Sequence, residues 1–177
     1  MATKKKATKK KAAKLPRAAR GGGGGRALET SILVAALESA WSEIRKAHPD
    51  VPRAIIVLAS GTSSRSKKLG HFAPDRWADK PQQSKKARAV AAMVHEVLVS
   101  GEGLRGGAES VLDTLLHEGA HGVARARKIQ DTSRSGRYHN KKFQAIAEEL
   151  GLSVTSHASH GWAFTALTPR PKRSGRS

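Results

Sequence analysis

The 177-residue sequence contains no cysteine. Disulfide bonds and thiolate metal sites are therefore excluded, and any metal ion must be bound by nitrogen or oxygen atoms. A chain without cysteine suits a reducing compartment. We expect a cytoplasmic protein, with the nucleoid as a candidate location because of the basic tails described below.

Long hydrophobic runs are also missing, since no apolar run exceeds the six residues of "ILVAAL" (32–37). A membrane-spanning helix needs about 20 such residues. The basic start of the chain lacks the apolar core of a secretory signal. We therefore expect neither a membrane span nor secretion.

Acidic residues are absent from both ends of the chain. Residues 1–26 hold seven Lys and three Arg, and residues 168–177 hold four further basic residues. These segments carry +14 of the net charge of +19, which leaves +5 for residues 27–167. We predict a folded domain over 27–167 between two disordered basic tails, which bind nucleic acid non-specifically through its phosphates. A purely solubilising role of the tails is the alternative.

Apolar periodicity and turn residues predict an α+β domain with a short mixed or antiparallel sheet. The strand of residues 69–77 is expected to pair with the strand of residues 53–60. The predicted elements are, in order, a helix from Leu28 to the "HPDVP" segment (48–52), strands over 53–60, 69–77 and 89–100, a helix over about 108–126, a helix from Tyr138 or His139 to Leu150, and two closing strands in "LSVTSHAS" and "GWAFTALT".

The segment "LLHEGAHGVA" (115–124) contains His117, Glu118 and His121 in an H-E-x-x-H pattern. On a helix this spacing lets both imidazoles bind one zinc ion, with the glutamate beside them as a general base. At about 100° per residue, both histidines lie opposite the apolar stripe of the helix. Gly119 and Gly122 weaken the helix, which indicates close approach of a neighbouring element.

A catalytic zinc site needs a third protein ligand. A metzincin would have Gly and His at the positions of Ala124 and Arg127, so that class is excluded. His139 is favoured as the third ligand because a polar loop returns there to the start of the next helix. Glu148 and Glu149 are the alternatives, as in thermolysin-like sites.

The segments "TLLHEGAHGVA" and "GRYHNKKFQAIAEELGL" together resemble the SprT-like zinc metallopeptidases, relatives of the DNA–protein crosslink protease Spartan. The resemblance implies a small zincin-like metallopeptidase domain in which His117, His121 and His139 bind Zn²⁺ and Glu118 is catalytic. It also implies an endopeptidase that hydrolyses peptide bonds through a zinc-activated water, with DNA-bound proteins as candidate substrates.

Two departures from that family bear on the substrate. Many members have Gly where this chain has Asn140, and longer members carry a cysteine zinc ribbon, which a chain without cysteine cannot form. The basic tails are thus the segments of this sequence that we expect to bind DNA. The alternative function is a DNA-binding or nucleoid-associated protein whose zincin-like domain is structural or catalytically inert.

Two residues near the motif have alternative interpretations. Tyr138 either packs as an ordinary aromatic residue or donates a hydrogen bond to the oxyanion of the reaction. Asp113 is either a surface carboxylate or a hydrogen-bond partner of a ligating imidazole.

Overall fold

The structure is a computed structural model that describes residues 29–63, 66–78 and 93–169. The predicted tails lie outside these residues, except for Thr168 and Pro169, and so does most of the predicted loop over 77–88. No helix in the described part of the chain is long and apolar enough to cross a membrane.

The predicted α+β class is confirmed, since the described residues form helices and two small mixed sheets. The helices are α1 (Glu29–Ala47), α2 (Gly101–Leu104), α3 (Gly107–Ala126) and α4 (Lys141–Glu149). The strands are β1 (Ala54–Ala59), β2 (Thr62–Ser63), β3 (Ser66–Lys67), β4 (Gly70–Ala78), β5 (Met93–Ser100), β6 (Thr132–Ser133), β7 (Tyr138–His139), β8 (Leu152–His157) and β9 (Gly161–Leu167).

The first sheet has the strand order β1-β5-β4, with β5 parallel to β1 and antiparallel to β4. The predicted pairing of residues 69–77 with the first strand is therefore wrong. Strand β5 lies at the centre and is the most buried of the three strands, with Val97 and Val99 fully buried. Strand β4 contains Pro74 and an irregularity between Ala73 and Trp77, both of which suit a sheet edge.

Helix α1 packs one face on the core through Leu37, Trp41 and Ile44. The Trp41 Nε1 atom donates a hydrogen bond to the Pro52 carbonyl at 3.1 Å, which ties the helix to the start of β1. Ile32 and Leu33, in the first half of the helix, are 59% and 41% exposed. The helix is therefore buried mainly over its C-terminal half.

Helix α3 packs against β4 and β5 of the first sheet and is the most buried helix of the described chain. The close approach predicted at its glycines is confirmed. A Cβ atom at Gly122 would lie 2.8 Å from Pro52 Cδ, and one at Gly119 would lie 3.2 Å from Leu150 Cδ2. Both glycines therefore allow neighbouring elements to contact the helix backbone.

We expect Gly122→Ala to lower the free energy of unfolding by about 1–3 kcal/mol, even though alanine favours helices. The added methyl group meets the rigid Pro52 ring and the Phe72 ring. Gly119→Ala is the matched control, because its methyl group meets only the flexible end of Leu150 and rings at van der Waals distance. Urea unfolding curves should rank Gly122→Ala below Gly119→Ala, and the reverse order would contradict this packing argument.

The second sheet has the order β6-β7-β9-β8, and helix α4 packs beside it. The prediction that α4 begins at Tyr138 or His139 is wrong, because both residues lie in β7. Asn140 is the N-cap, and its side chain accepts hydrogen bonds from the backbone N–H groups of Lys142 and Phe143. The helix cannot extend backward past this cap, and His139 is therefore held by strand pairing.

Candidate metal centre

His117 and His121 from α3 and His139 from β7 converge at one point of the structure. One nitrogen of each ring lies within 4.8 Å of those of the other two. The Nε2 atoms of His121 and His139 are 3.1 Å apart. Two imidazole ligands on a tetrahedral zinc ion would be about 3.3 Å apart, given zinc–nitrogen distances of about 2.0–2.1 Å. The three histidines are therefore close enough together to bind one metal ion.

Oxygen atoms bind the other ring nitrogens of two of these histidines. Asp131 Oδ2 lies 2.5 Å from His121 Nδ1. His117 Nδ1 lies 3.3 Å from Thr165 Oγ1, which in turn donates to Asp113 Oδ2 at 3.3 Å. These contacts place a proton on Nδ1 and leave the Nε2 lone pair free for a metal ion.

His139 is positioned through its backbone. Its N–H donates to the His160 carbonyl at 3.0 Å, and it pairs with Gly161 across the sheet. Its Nδ1 atom is buried and has no hydrogen-bond partner among the described residues. Strand pairing thus fixes the position of His139, as hydrogen bonds to oxygen atoms fix the rings of His117 and His121.

The Phe143 ring forms the floor beneath the three histidines. It is fully buried, and its centroid lies 4.7, 4.8 and 4.5 Å from those of His117, His121 and His139, respectively. An apolar floor restricts water and limits the motion of the three rings.

Protonation states also suit metal binding. Burial and the charges of His121 and His139 hold the pKa of His117 well below its usual range. Burial and the charge of His121 lower the pKa of His139 to about 4. Burial alone would lower the pKa of His121, but its hydrogen bond to Asp131 and the nearby Glu118 charge raise it. His117 and His139 are therefore neutral near pH 7, the form that binds metal ions.

Glu118 lies beside this cluster and is buried, with 6% of its surface exposed. Burial raises the pKa of its carboxyl group to about 7, although His121 and a backbone hydrogen bond from Phe72 act against the shift. A Cβ atom at Gly70 would lie 2.7 Å from Glu118 Oε1. Only glycine at this position of β4 leaves room for the carboxyl group.

The two alternative third ligands lie elsewhere on the surface. Glu148 accepts a hydrogen bond from the Gln144 side chain at 2.8 Å, and Glu149 pairs with Arg127 at 2.7 Å. Both glutamates are exposed. The geometry thus brings together the three histidines and neither alternative residue.

Asp131, Thr165 and Gly70 belong to the site but were not among the predicted site residues. Asp131 could have been found by elimination, because it is the only acidic residue between Glu118 and Glu148. A ligating histidine usually donates its second N–H to an oxygen atom, and a carboxylate is a frequent acceptor. Thr165 has no comparable sequence signature.

We expect Asp131→Asn to weaken zinc binding about 10- to 100-fold, because the charged acceptor of the His121 N–H is lost. Competition with a chromophoric chelator measures this affinity directly. Asp50→Asn is the matched control, since Asp50 is an exposed carboxylate paired with Arg127 and should leave zinc affinity unchanged. Equal affinities of Asp131→Asn and wild type would show that Asp131 does not support the metal site.

Comparisons of the chain with protein-family models, with curated proteins and with solved structures find no match. The resemblance to SprT-like metallopeptidases is thus carried by the motif residues alone and remains a prediction.

Proposed function

We propose that the protein is a zinc-dependent endopeptidase of the SprT-like type, with residues 27–167 forming a zincin-like domain. The observation that carries this proposal is the position of Glu118. This buried carboxyl group, with a pKa raised to about 7, adjoins a cluster of three imidazoles. A three-ligand metal site beside a tuned general base is the arrangement of zinc hydrolases.

Zinc is the metal that the donor set favours. Three imidazoles suit zinc, and a three-ligand set leaves the fourth position for water or substrate. When bound there, zinc supplies an acidic water and polarises the substrate carbonyl group. The ligands of the proposal are His117, His121 and His139.

Glu118 acts as the general base and then as the general acid. With its pKa near 7, the carboxylate takes a proton from the attacking water and later gives it to the leaving amine. The Phe72 N–H holds the carboxyl group in place, and Gly70 lets it approach β4. Its burial keeps bulk water from competing for that proton.

The substrate class follows from the reaction and from the charge of the chain. The attacked group is a peptide bond, so the substrates are proteins. The tails carry +14, and polycations of this kind bind nucleic acid through its phosphates. DNA-bound proteins are therefore the substrates that the tails would bring to the site.

The test uses the full chain loaded with one equivalent of zinc and incubated with denatured casein and with histone, with and without DNA. We expect internal cleavage products by mass spectrometry, loss of cleavage with a zinc chelator, and recovery when zinc is restored. Zinc-loaded protein that cleaves neither substrate with or without DNA would contradict the proposal.

The charge of the tails favours a second candidate function, a DNA-binding or nucleoid-associated protein with a structural or inert metal site. Residues 1–26 hold ten basic residues and no acidic one. Deleting them should remove most salt-dependent DNA binding under either function. Only the cleavage assay separates the two, because the second function predicts no products.

A further inference from the structure

An apolar groove lies between helices α1 and α3, beside the short helix α2. Its volume is about 340 Å³, and each residue that lines it is apolar or a glycine. Leu37 and Leu115 line it from below and belong to the hydrophobic core. The groove is therefore an opening onto the core, with no polar group of its own lining to bind water.

The rim of this groove is open to solvent. Leu33 on α1 is 41% exposed and Leu112 on α3 is 38% exposed, and both line the groove. Ile32, which precedes Leu33, is 59% exposed. Exposed apolar residues that adjoin an apolar groove are typical of a surface that another segment covers.

The groove is distinct from the metal centre. Leu112 and Leu115 lie on the apolar stripe of α3, and His117 and His121 lie on the opposite side of that helix. No residue of the histidine cluster lines the groove. A segment bound in the groove would therefore not contact the metal ligands.

The charge of the helices beside the groove differs from that of the rest of the chain. Residues 31–44 and 104–115 together contain four acidic residues and one basic residue, Arg105, in a protein of net charge +19. Their local charge is therefore −3. An occupant that is apolar at one point and basic on either side would match both the groove and its surroundings.

The N-terminal segment of this chain has that composition. Residues 9–20, "KKKAAKLPRAAR", contain six basic residues and no acidic one. Leu15 is the only large aliphatic side chain between residues 2 and 27, and Lys14 and Arg17 lie close to it in sequence. Residues 170–177, at the other end of the chain, are also basic but contain no large aliphatic side chain, so they do not match the groove.

The distance along the chain also suits this segment. Leu15 lies 14 residues before Glu29, the start of α1, and five of the residues between them are the glycines of 21–25. A glycine-rich linker of that length spans about 20 Å on average. The groove extends along α1 from Leu33 to Ala40, which is about 6–17 Å from Glu29 at the rise of a helix. A linker whose span matches the distance gives an effective concentration in the millimolar range, at which weak binding suffices.

We propose that residues 9–20 dock on this groove, with the Leu15 side chain inserted between α1 and α3. Lys14 and Arg17 then face the acidic groups of these helices. The interaction is intramolecular and fixes part of the N-terminal segment on the side of α3 away from the metal centre. It goes beyond the proposed peptidase activity and does not depend on it.

The experiment uses the absence of cysteine from the chain. Ala18→Cys in the full chain places a single nitroxide spin label three residues after Leu15, and NMR compares methyl signals with the label oxidised and reduced. The Leu33 and Leu112 methyl signals should lose most of their intensity when the label is oxidised. The Ile55 signal is the internal control, because Ile55 is 40% exposed on β1 and does not line the groove. Equal intensity losses at Ile55 and Leu112, or no loss at Leu112, would overturn the proposal.

Two variants of the labelled chain separate insertion of Leu15 from charge attraction alone. Leu15→Asp should restore the Leu33 and Leu112 signals, and Leu15→Met, which keeps a long apolar side chain, should not. Persistent signal loss in Leu15→Asp would show that Leu15 does not hold the segment, and the proposal would be wrong.

A mixed sample tests whether the docking is intramolecular. Spin-labelled chain without isotopes is mixed with isotope-labelled wild type, and the wild-type signals should keep their intensity. Loss of the Leu33 and Leu112 signals in this mixture would assign the groove to the N-terminal segment of a second copy and overturn the intramolecular proposal.

Discussion

Replacing Glu118 with glutamine is expected to lower the rate of peptide cleavage about 10²- to 10⁴-fold while zinc remains bound. The amide has nearly the same shape and keeps an oxygen atom to accept the Phe72 N–H. It cannot accept the proton of the attacking water. Steady-state cleavage of casein, measured together with the zinc content of the same sample, tests both parts of this expectation.

Glu109→Gln provides the control for that variant. Glu109 is an exposed glutamate on the first turn of the same helix, about two helical turns before the H-E-x-x-H motif. Its amide variant should cleave at the wild-type rate. Wild-type activity in Glu118→Gln would exclude Glu118 as the general base, and loss of zinc from that variant would assign it a structural role instead.

The pKa of Glu118 shows that this variant should not fail by unfolding. Burial raises that pKa from 4.5 to about 7, so the folded protein keeps a proton that the unfolded chain releases near pH 4.5. The free energy of unfolding of metal-free wild type therefore falls as pH rises from about 4.5 to 7. Glutamine does not titrate, so the Glu118→Gln variant does not lose stability over this pH range. At pH 8 the metal-free variant should therefore be more stable than metal-free wild type by up to about 3 kcal/mol. Urea unfolding in a chelator at pH 4.5 and pH 8 measures this difference.

Sequence periodicity predicted the elements of this fold better than their arrangement. The helix at 108–126 and the strands at 53–60 and 89–100 were predicted close to their observed bounds, because each has a clear apolar pattern. Strand order depends on which strand is buried on both sides, and this placed β5 between β1 and β4. The apolar pattern within one strand does not show which of the three strands will lie at the centre of the sheet.

The site shows the same division between local and long-range information. The positions of His117 and His121 follow from helical spacing, and that of His139 from the polar loop before it. Asn140 was considered only as a departure from a family pattern, yet its side chain caps α4 and places His139 in a strand. Thr165 reaches His117 only through the β8–β9 hairpin, a contact that no local pattern encodes.

Replacing His139 with alanine is expected to weaken zinc binding more than 100-fold, because losing an outer partner of a ligand already costs about 10- to 100-fold. Two imidazoles from α3 would remain, and they cannot complete a three-ligand site. The backbone pairing of β7 does not involve the His139 side chain, so the fold should persist. Chelator competition gives the affinity, and circular dichroism checks the fold.

Glu149→Gln and Glu148→Gln are the matched variants, because these residues are the alternative third ligands in the sequence. Both are exposed, and Glu149 is paired with Arg127, so neither change should alter zinc affinity. Full zinc retention in His139→Ala together with loss in either glutamate variant would assign the third ligand to α4. Because His139 is one of the three proposed ligands, its loss should also abolish cleavage.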